Sequence, residues 1–198
     1  MPPKVKVTKP DILQTALDLI REKGAEGINA RAVAARLGVS TQPIFSNYES
    51  MEALKADAVA AANALYQSFI EADVASGRYP AYKASGMAYI RFAKEEPGLF
   101  KLLFMRDRTG ETIQQGFDEI RPLLALIQKN TGLSEQDALL FHTEMWVYVH
   151  GIATMIATGY LQWDWELISR MLTDNYKGMK ARWAVQEGVS WTQSKPLD

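Results

Sequence analysis

The sequence has 198 residues, with 23 acidic and 22 basic side chains, two histidines and no cysteine. This length allows one or two modest domains with a substantial core, and the lack of cysteine excludes disulfides and thiolate zinc sites. The net charge of −1 provides no overall attraction to nucleic acid, so a nucleic-acid site would need a local basic surface. Five basic residues in the N-terminal region are candidates for such a surface: Lys4, Lys6, Lys9, Arg31 and Arg36.

The N-terminal segment, MPPKVKVTKP, is basic and interrupted by prolines. It lacks the apolar run of a signal peptide, so we expect a cytoplasmic protein. Residues 1–7 are predicted to form a flexible arm, after which Thr8 caps a first helix that ends at Gly24. Apolar residues recur through this helix three and four positions apart, which predicts a packed face that supports the following segment.

Residues 29–54 contain the pattern of two short helices joined by a turn. Asn29 is the predicted N-cap of the first helix, Gly38 its end, and Ser40 the predicted N-cap of the second. A helix as short as the second is not stable alone in water, so it must dock on a scaffold and present its free face to a partner.

That free face carries Thr41, Gln42 and Asn47, which have short hydrogen-bonding side chains of the kind that read base edges. An ordinary helical hairpin would show the same helix-glycine-helix pattern. The pattern alone therefore leaves both interpretations open.

The segment GVSTQPIFSNYESMEAL resembles the signature of the TetR family of bacterial transcription regulators at Gly38, Val39, Ser40, Phe45, Tyr48 and Leu54. The resemblance implies a helix-turn-helix head that binds double-stranded operator DNA, with Thr41, Gln42 and Asn47 touching bases. It also implies that five residues position the DNA backbone: Asn29, Arg31, Ser40, Phe45 and Tyr48. Two positions depart from the family pattern, because Phe45 replaces the usual tyrosine and Met51 the usual lysine.

The remaining segments are also predicted to be helical. Ser50 caps a long helix that runs to about Ser76, and Pro80 begins another that stops at Pro97. After a buried apolar helix and a polar loop at 106–111, Pro122 lies inside a helical stripe, where we expect a kink. The fold class is therefore all-α with about nine helices, divided into a DNA-binding head (1–49), a ligand-binding and dimerisation body (50–187) and a flexible tail (188–198).

The helix predicted from Glu135 to Thr158 has two apolar faces. We expect one face to pack on its own chain. The opposite face, whose small residues would let a helix of a second copy approach, predicts a homodimer through Leu139, Trp146, His150, Ala153 and Ala157. A membrane span competes with this interpretation, but the glutamate and histidines inside the segment disfavour it.

The W-x-x-x-H-G of Trp146, His150 and Gly151 resembles a C-terminal domain subtype of the same family, which is named for these three letters. The TetR resemblance implies a small-molecule effector held between the long helix and the other body helices. We predict a mostly apolar or aromatic effector. The predicted pocket residues are Phe69, Met87, Phe92, Phe104, Phe117, His142, Met145 and Tyr148.

Catalytic motifs are absent from the sequence, and two histidines eight residues apart on one helix do not form a metal-binding pair. We therefore predict no catalytic residue, no metal and no cofactor, with an enzyme as the competing class. The predicted function is a dimeric transcription regulator, a repressor that its ligand releases from the operator. The alternative is a dimeric helical protein that binds a small molecule with weak or lost DNA binding, which the Met51 departure keeps open.

Overall fold

The computed structural model describes residues 7–106 and 113–185, with side chains described at 7–106 and 120–184. This part of the chain contains no strand, and its nine α-helices confirm the all-α prediction. The helices are α1 (Lys9–Lys23), α2 (Ala30–Leu37), α3 (Gln42–Asn47), α4 (Met51–Ala75), α5 (Ala81–Glu95), α6 (Pro97–Phe104), α7 (Ile113–Thr131), α8 (Glu135–Ala157) and α9 (Trp165–Val185). Nearly all of the predicted arm, most of the predicted 106–111 loop and the predicted tail lie outside the described residues.

Local capping explains where the first two helices begin. The Thr8 hydroxyl accepts a hydrogen bond from the Asp11 backbone N–H, and the Asp11 carboxylate accepts one from the Thr8 N–H in return. Asn29 caps α2 as predicted, since its Oδ1 lies 2.9 Å from the Ala32 nitrogen. Gly38 then ends α2 with a φ of 67°, a left-handed conformation that favours glycine.

The prediction that Ser40 caps α3 is wrong. Thr41 occupies the N-cap position with helix-like dihedral angles, and its side chain makes no capping bond. Ser40 is exposed one residue earlier, in the turn. The helix begins without a side-chain cap because Pro43 lies in its first turn, where a missing N–H costs nothing, and because buried Ile44 anchors it on the head.

Helix α4 connects the head to the body. The Ser50 hydroxyl caps it at the Ala53 nitrogen, 3.1 Å away, as predicted. With 25 residues and a rise of about 1.5 Å per residue, the helix spans both parts of the molecule. Its small buried residues Ala58 and Ala62 let α1 and α5 pack closely against it.

The body is built around α5, which packs on α4 along one side and on α8 along another. Pro97 ends α5 as predicted and also begins α6, a short helix that buries Leu99, Phe100, Leu102 and Leu103. Pro122 lies within the continuous helix α7. The hydrophobic residues form a large core that joins the head to the inner body and a smaller one among α7, α8 and α9.

No helix in the described ranges is both long and apolar enough to cross a membrane. The apolar character of α8 is instead explained by its packing against α5, α6, α7 and α9.

Candidate DNA-binding head and ligand cavity

Helix α3 is held on the head by one side and leaves the other side free. Ile44 is fully buried beneath it, whereas Gln42 is exposed and Phe45 exposes 52% of its surface. Thr41 is half-buried at the start of the helix. The structure therefore places Thr41, Gln42 and Phe45 together on an accessible surface, where a major groove could be contacted.

Asn47 and Tyr48 are less accessible than the sequence predicts. The side-chain N–H of Asn47 donates to the Pro43 carbonyl at 2.8 Å, so the amide is turned along its own helix. Tyr48 exposes only 4% of its surface, and burial raises its pKa to about 12. The prediction that Tyr48 positions the DNA backbone is corrected, because the side chain belongs to the core of the head.

Ion pairs distinguish the basic residues of the head from one another. Lys9 Nζ lies 2.9 Å from an Asp57 carboxylate oxygen, and the Arg36 guanidinium forms a pair with Glu22. Arg31, at the exposed start of α2, has no hydrogen-bond or salt-bridge partner among the described residues. Its charge is therefore available for a phosphate, as is the part of the exposed Asn29 amide not used for capping.

A cavity of about 650 Å³ lies among α4, α5, α7, α8 and α9 in the body. This is the size of a typical small-molecule site. Its described lining residues are mostly apolar or aromatic: Tyr66, Pro80, Tyr82, Lys83, Ser85, Gly86, Tyr89, Leu123, Asn130, His142, Met145, Trp146, Val149, Leu172, Thr173, Tyr176, Lys177 and Lys180.

Among the predicted pocket residues with described side chains, only His142 and Met145 line this cavity. Phe92 and Met87 are buried in the core, and Phe69 packs edge-to-face on Phe92 with ring centroids 5.3 Å apart. Phe104 is in similar contact with Tyr66 at 5.3 Å. The prediction is corrected for these four residues because they fill the space around the cavity. Tyr148 is half-buried outside the lining, and the side chain of Phe117 lies outside the described residues.

His142 is a buried polar residue of the cavity lining. Its Nδ1 lies 3.1 Å from the Tyr82 hydroxyl, and burial lowers its pKa from 6.5 to about 4. Burial also raises the pKa of Tyr82 and that of Tyr176, whose ring centroid lies 6.0 Å from the Tyr82 ring. All three side chains are therefore neutral at pH 7, so the inner wall offers hydrogen bonds without charge.

Lys83 provides a charged group at another part of the wall. Its Nζ donates to Ser169 Oγ at 2.7 Å and to Thr173 Oγ1 at 2.8 Å, which connects α5 to α9. Desolvation lowers the pKa of Lys83; the charge of Asp174 opposes this shift, and the charge of Lys177 adds to it. Sequence reasoning missed Tyr82, Lys83 and Tyr176, although polar residues within the apolar repeat of α5 were a usable signal.

The residues predicted to form the dimer face lie in different environments in the structure. Ala153 and Ala157 are buried in the core of their own chain, so they are not presented to a second copy and that prediction is corrected. Leu139 packs against the smaller core. His150 is half-buried, with Nδ1 2.8 Å from the Tyr89 hydroxyl, and its ring stacks on Trp146.

An exposed apolar strip remains on α8. Val147 exposes 60% of its surface, and Met155, two turns further on the same side of the helix, exposes 37%. Trp146 exposes 43% but lies on the opposite side of α8 from Met155 and lines the cavity. At Gly151, between Val147 and Met155 along the helix, an added Cβ would meet no atom within 4 Å. The helical pattern did not predict that Val147 and Met155 are exposed, because it does not show which helices pack against α8.

Comparison with known proteins gives the same assignment for both halves of the chain. The family model "Bacterial regulatory proteins, tetR family" matches residues 12–58, which span α2, α3 and the start of α4. The model "Tetracyclin repressor-like, C-terminal domain" matches residues 82–174, which include Trp146, His150 and Gly151. Together the two models cover the helix-turn-helix and most of the body.

Two relatives agree with these matches. The uncharacterized HTH-type transcriptional regulator YobS of Bacillus subtilis (strain 168) is 24% identical over 161 residues, or 79% of this chain and 83% of that protein. The crystal structure of a TetR-like transcriptional regulator from Rhodococcus sp. RHA1 has a TM-score of 0.64 at 15% identity, covering 94% of this chain and all of the other, which shows a shared fold. The chain belongs to the TetR family of transcriptional regulators.

Proposed function

We propose that this regulator is a dimeric repressor whose head (1–49) binds a near-palindromic operator and whose body (50–187) binds a small molecule that releases the DNA. The observation that carries the proposal is the contact of one helix with both sites. Helix α4 begins at Met51, directly after the helix-turn-helix, and further along it Tyr66 lines the cavity.

This arrangement couples the cavity to the head mechanically. Tyr66 packs against Tyr89, Phe92 and Phe104, with ring centroids 5.3 to 5.8 Å apart. A ligand that prefers a different arrangement of these rings would shift α4, and with it the spacing of the two heads in the dimer. The extent of DNA release is then set by the difference in ligand affinity between the two arrangements.

The base contacts are assigned to Thr41 and Gln42, with Asn47 through the part of its amide not bonded to Pro43. Arg31, Asn29, Ser40 and Phe45 are assigned to the DNA backbone. Of these, Arg31 carries the charge, so its removal should weaken binding to all sequences and reduce the salt dependence by about one ion. Gln42 should instead affect the preference among sequences, by about 1–3 kcal/mol for a good base contact.

The experiment is a fluorescence-anisotropy titration of the DNA that flanks the protein's own gene, at several salt concentrations. Arg31→Ala is expected to weaken both this DNA and a scrambled duplex, and Gln42→Ala to reduce the preference between them. Arg36→Ala is the matched control, because Arg36 is already paired with Glu22. Binding that is insensitive to both Arg31→Ala and Gln42→Ala would exclude α3 as the reading helix.

The dimer is proposed to form through α8 and α9 of two copies related by a two-fold axis, which gives a four-helix bundle. On the α8 side, support comes from the exposed strip of Val147 and Met155 with the open Gly151 between them. A contiguous apolar surface of this kind on a helix usually marks an interaction site.

A second candidate is a small-molecule-binding protein of the same fold with weak DNA binding. The hydrogen bond of Asn47 to the Pro43 carbonyl of its own helix and the uncharged Met51 at the start of α4 favour it. The same titration separates the two candidates, because the second requires that the flanking DNA bind no tighter than the scrambled duplex.

A further inference from the structure

We propose that the effector is an aromatic molecule that carries one carboxylate, with its ring in the inner part of the cavity and the carboxylate at Lys83. This inference rests on the proposed ligand-binding role of the body and adds the chemical class of the ligand.

The charged side chains described in the cavity lining are all basic. Three lysines line the cavity, Lys83, Lys177 and Lys180, and none of its described lining residues is acidic. Asp174, whose charge also acts on Lys83, does not line the cavity, and no described carboxylate lies within salt-bridge distance of Lys83. An anion entering the cavity would therefore meet attraction without a competing carboxylate.

Lys83 is fixed in position to receive such an anion. Its ammonium group has three N–H donors, and Ser169 and Thr173 accept two of them. The third donor has no hydrogen-bond acceptor among the described residues, and the nitrogen lies 4.6 Å from the centroid of the Tyr79 ring. Both hydroxyl partners are neutral, and Asp174 acts on Lys83 only from beyond salt-bridge distance, so no described carboxylate is directly paired with the ammonium group. A carboxylate would accept the third hydrogen bond and neutralise the charge, and hydrogen bonds of this charged type are strong.

Lys177 and Lys180 differ from Lys83 in their surroundings. Both are exposed, and Lys180 donates to the Asn130 carbonyl at 2.8 Å. They add positive potential from exposed positions, so they attract the anion as it enters while Lys83, which two side chains hold in place, binds it.

The other walls select the body of the molecule. Tyr66, Tyr82, Tyr89, Tyr176 and Trp146 contribute rings to the lining, and His142 is neutral because of its burial. Rings pair favourably with one another in edge-to-face and offset arrangements. A second charge would be disfavoured here, because nothing described on the inner wall can compensate it.

The test is calorimetric titration of the full-length protein, without DNA, with three compounds of equal ring size: 2-naphthoate, 2-naphthamide and 2-naphthylmethylamine. We expect 2-naphthoate to bind at least about tenfold tighter than the amide and the amine to bind weakest. Equal affinities, a preference for the amide or amine, or no binding of 2-naphthoate at millimolar concentration would overturn the inference.

Variants locate the carboxylate. Lys83→Gln should remove the preference for 2-naphthoate over the amide, Lys83→Arg should retain part of it, and Lys129→Gln, at an exposed position of α7 outside the lining, should leave it unchanged. Thermal unfolding monitors whether each variant is folded. If Lys83→Gln is unfolded, the double variant Lys177→Gln/Lys180→Gln at the exposed positions should still reduce the preference and make it less sensitive to salt. A preference that survives these substitutions would contradict the proposal.

A separate measurement distinguishes this inference from the proposed function. Release of operator DNA by 2-naphthamide but not by 2-naphthoate would support ligand-controlled DNA binding and overturn the ligand class. Selective binding of 2-naphthoate without any effect on DNA would support the ligand class and contradict the release mechanism.

Discussion

Gly98 of α6 lies directly against the carbonyl of Ile20 in α1. A Cβ built on Gly98 would be 2.6 Å from that carbonyl oxygen and 2.9 Å from the Arg21 Cα, so only glycine fits between these two backbones. The contact joins the head to the body at a second place besides α4. The position of the head is therefore controlled both by the long helix and by this close approach.

Gly98→Ala should force α1 and α6 apart. Backbone atoms cannot move aside as a flexible side chain can, so we expect a loss of about 1–3 kcal/mol in the free energy of unfolding, measured by urea denaturation. Gly178→Ala in α9 is the control, since an added Cβ there meets no atom within 4 Å and should be neutral or stabilising. Equal stability of the two variants would show that α6 can shift without cost.

An ion pair adjoins this contact. Arg21 Nε lies 2.8 Å from one Glu96 carboxylate oxygen, and a terminal guanidinium nitrogen lies 3.1 Å from the other. Both side chains are only partly exposed, and Glu96 raises the pKa of Arg21. The two-point geometry is specific to arginine, because lysine has no planar fork.

Arg21→Lys is therefore expected to destabilise the protein modestly, by about 0.5–1 kcal/mol. A double-mutant cycle of Arg21→Lys and Glu96→Gln, followed by thermal or urea unfolding, measures the coupling between the two side chains. The exposed Lys9–Asp57 pair gives the comparison, with a smaller coupling expected. A coupling near zero for Arg21 and Glu96 would mean that Gly98 alone sets the contact.

His142 should make stability depend on pH. Its pKa is about 4 in the folded protein and 6.5 at its ordinary value, so between these limits the unfolded chain binds more protons than the folded one. The free energy of unfolding therefore falls as pH decreases from about 6.5 to about 4, by at most about 1.4 kcal/mol per pH unit from this group.

The measurement is urea denaturation at several pH values for the wild type and His142→Gln. The variant starts from a different stability because glutamine alters the bond to Tyr82, and the difference between the two proteins should shrink or reverse as pH falls. Parallel pH profiles would contradict the burial of a neutral His142. His150 titrates in both proteins and cancels in the comparison.

Capping residues made most helix starts predictable from the sequence. Thr8, Asn29 and Ser50 each accept the expected backbone hydrogen bond, because a cap depends only on neighbours within four residues. Ser40 failed as a cap because the turn after Gly38 extends one residue further and α3 begins without a side-chain bond.

The cavity was harder to predict, because a cavity forms only where the side chains of neighbouring helices do not fill the space between them. Helical spacing indicated that Phe92 and Met87 face inward, and they do, but an inward residue lines a cavity only where the opposite helix leaves a gap. The surroundings of Gly86 show how closely two helices pack next to the cavity. A Cβ there would lie 3.3 Å from a Leu172 methyl carbon, so α5 and α9 almost touch beside a cavity that can admit a ligand.

The same reasoning applies to the two faces of α8 and gives a prediction for the dimer. Ala153 is fully buried in its own chain, whereas Val147 is 60% exposed. Val147→Glu should place a charge in the proposed interface, where no solvent is left to hydrate it, and shift the protein from dimer to monomer in sedimentation velocity. Its stability as a monomer should change little, because the side chain is exposed there.

Two comparisons separate this effect from general damage. Val74→Glu introduces the same charge at an exposed position of α4 and should leave the dimer intact. Ala153→Leu should lower the free energy of unfolding by about 1–3 kcal/mol through overpacking, without a direct effect on association. If Val147→Glu stays dimeric while retaining its fold, the exposed strip on α8 is not the interface, and the two heads must be joined through another surface.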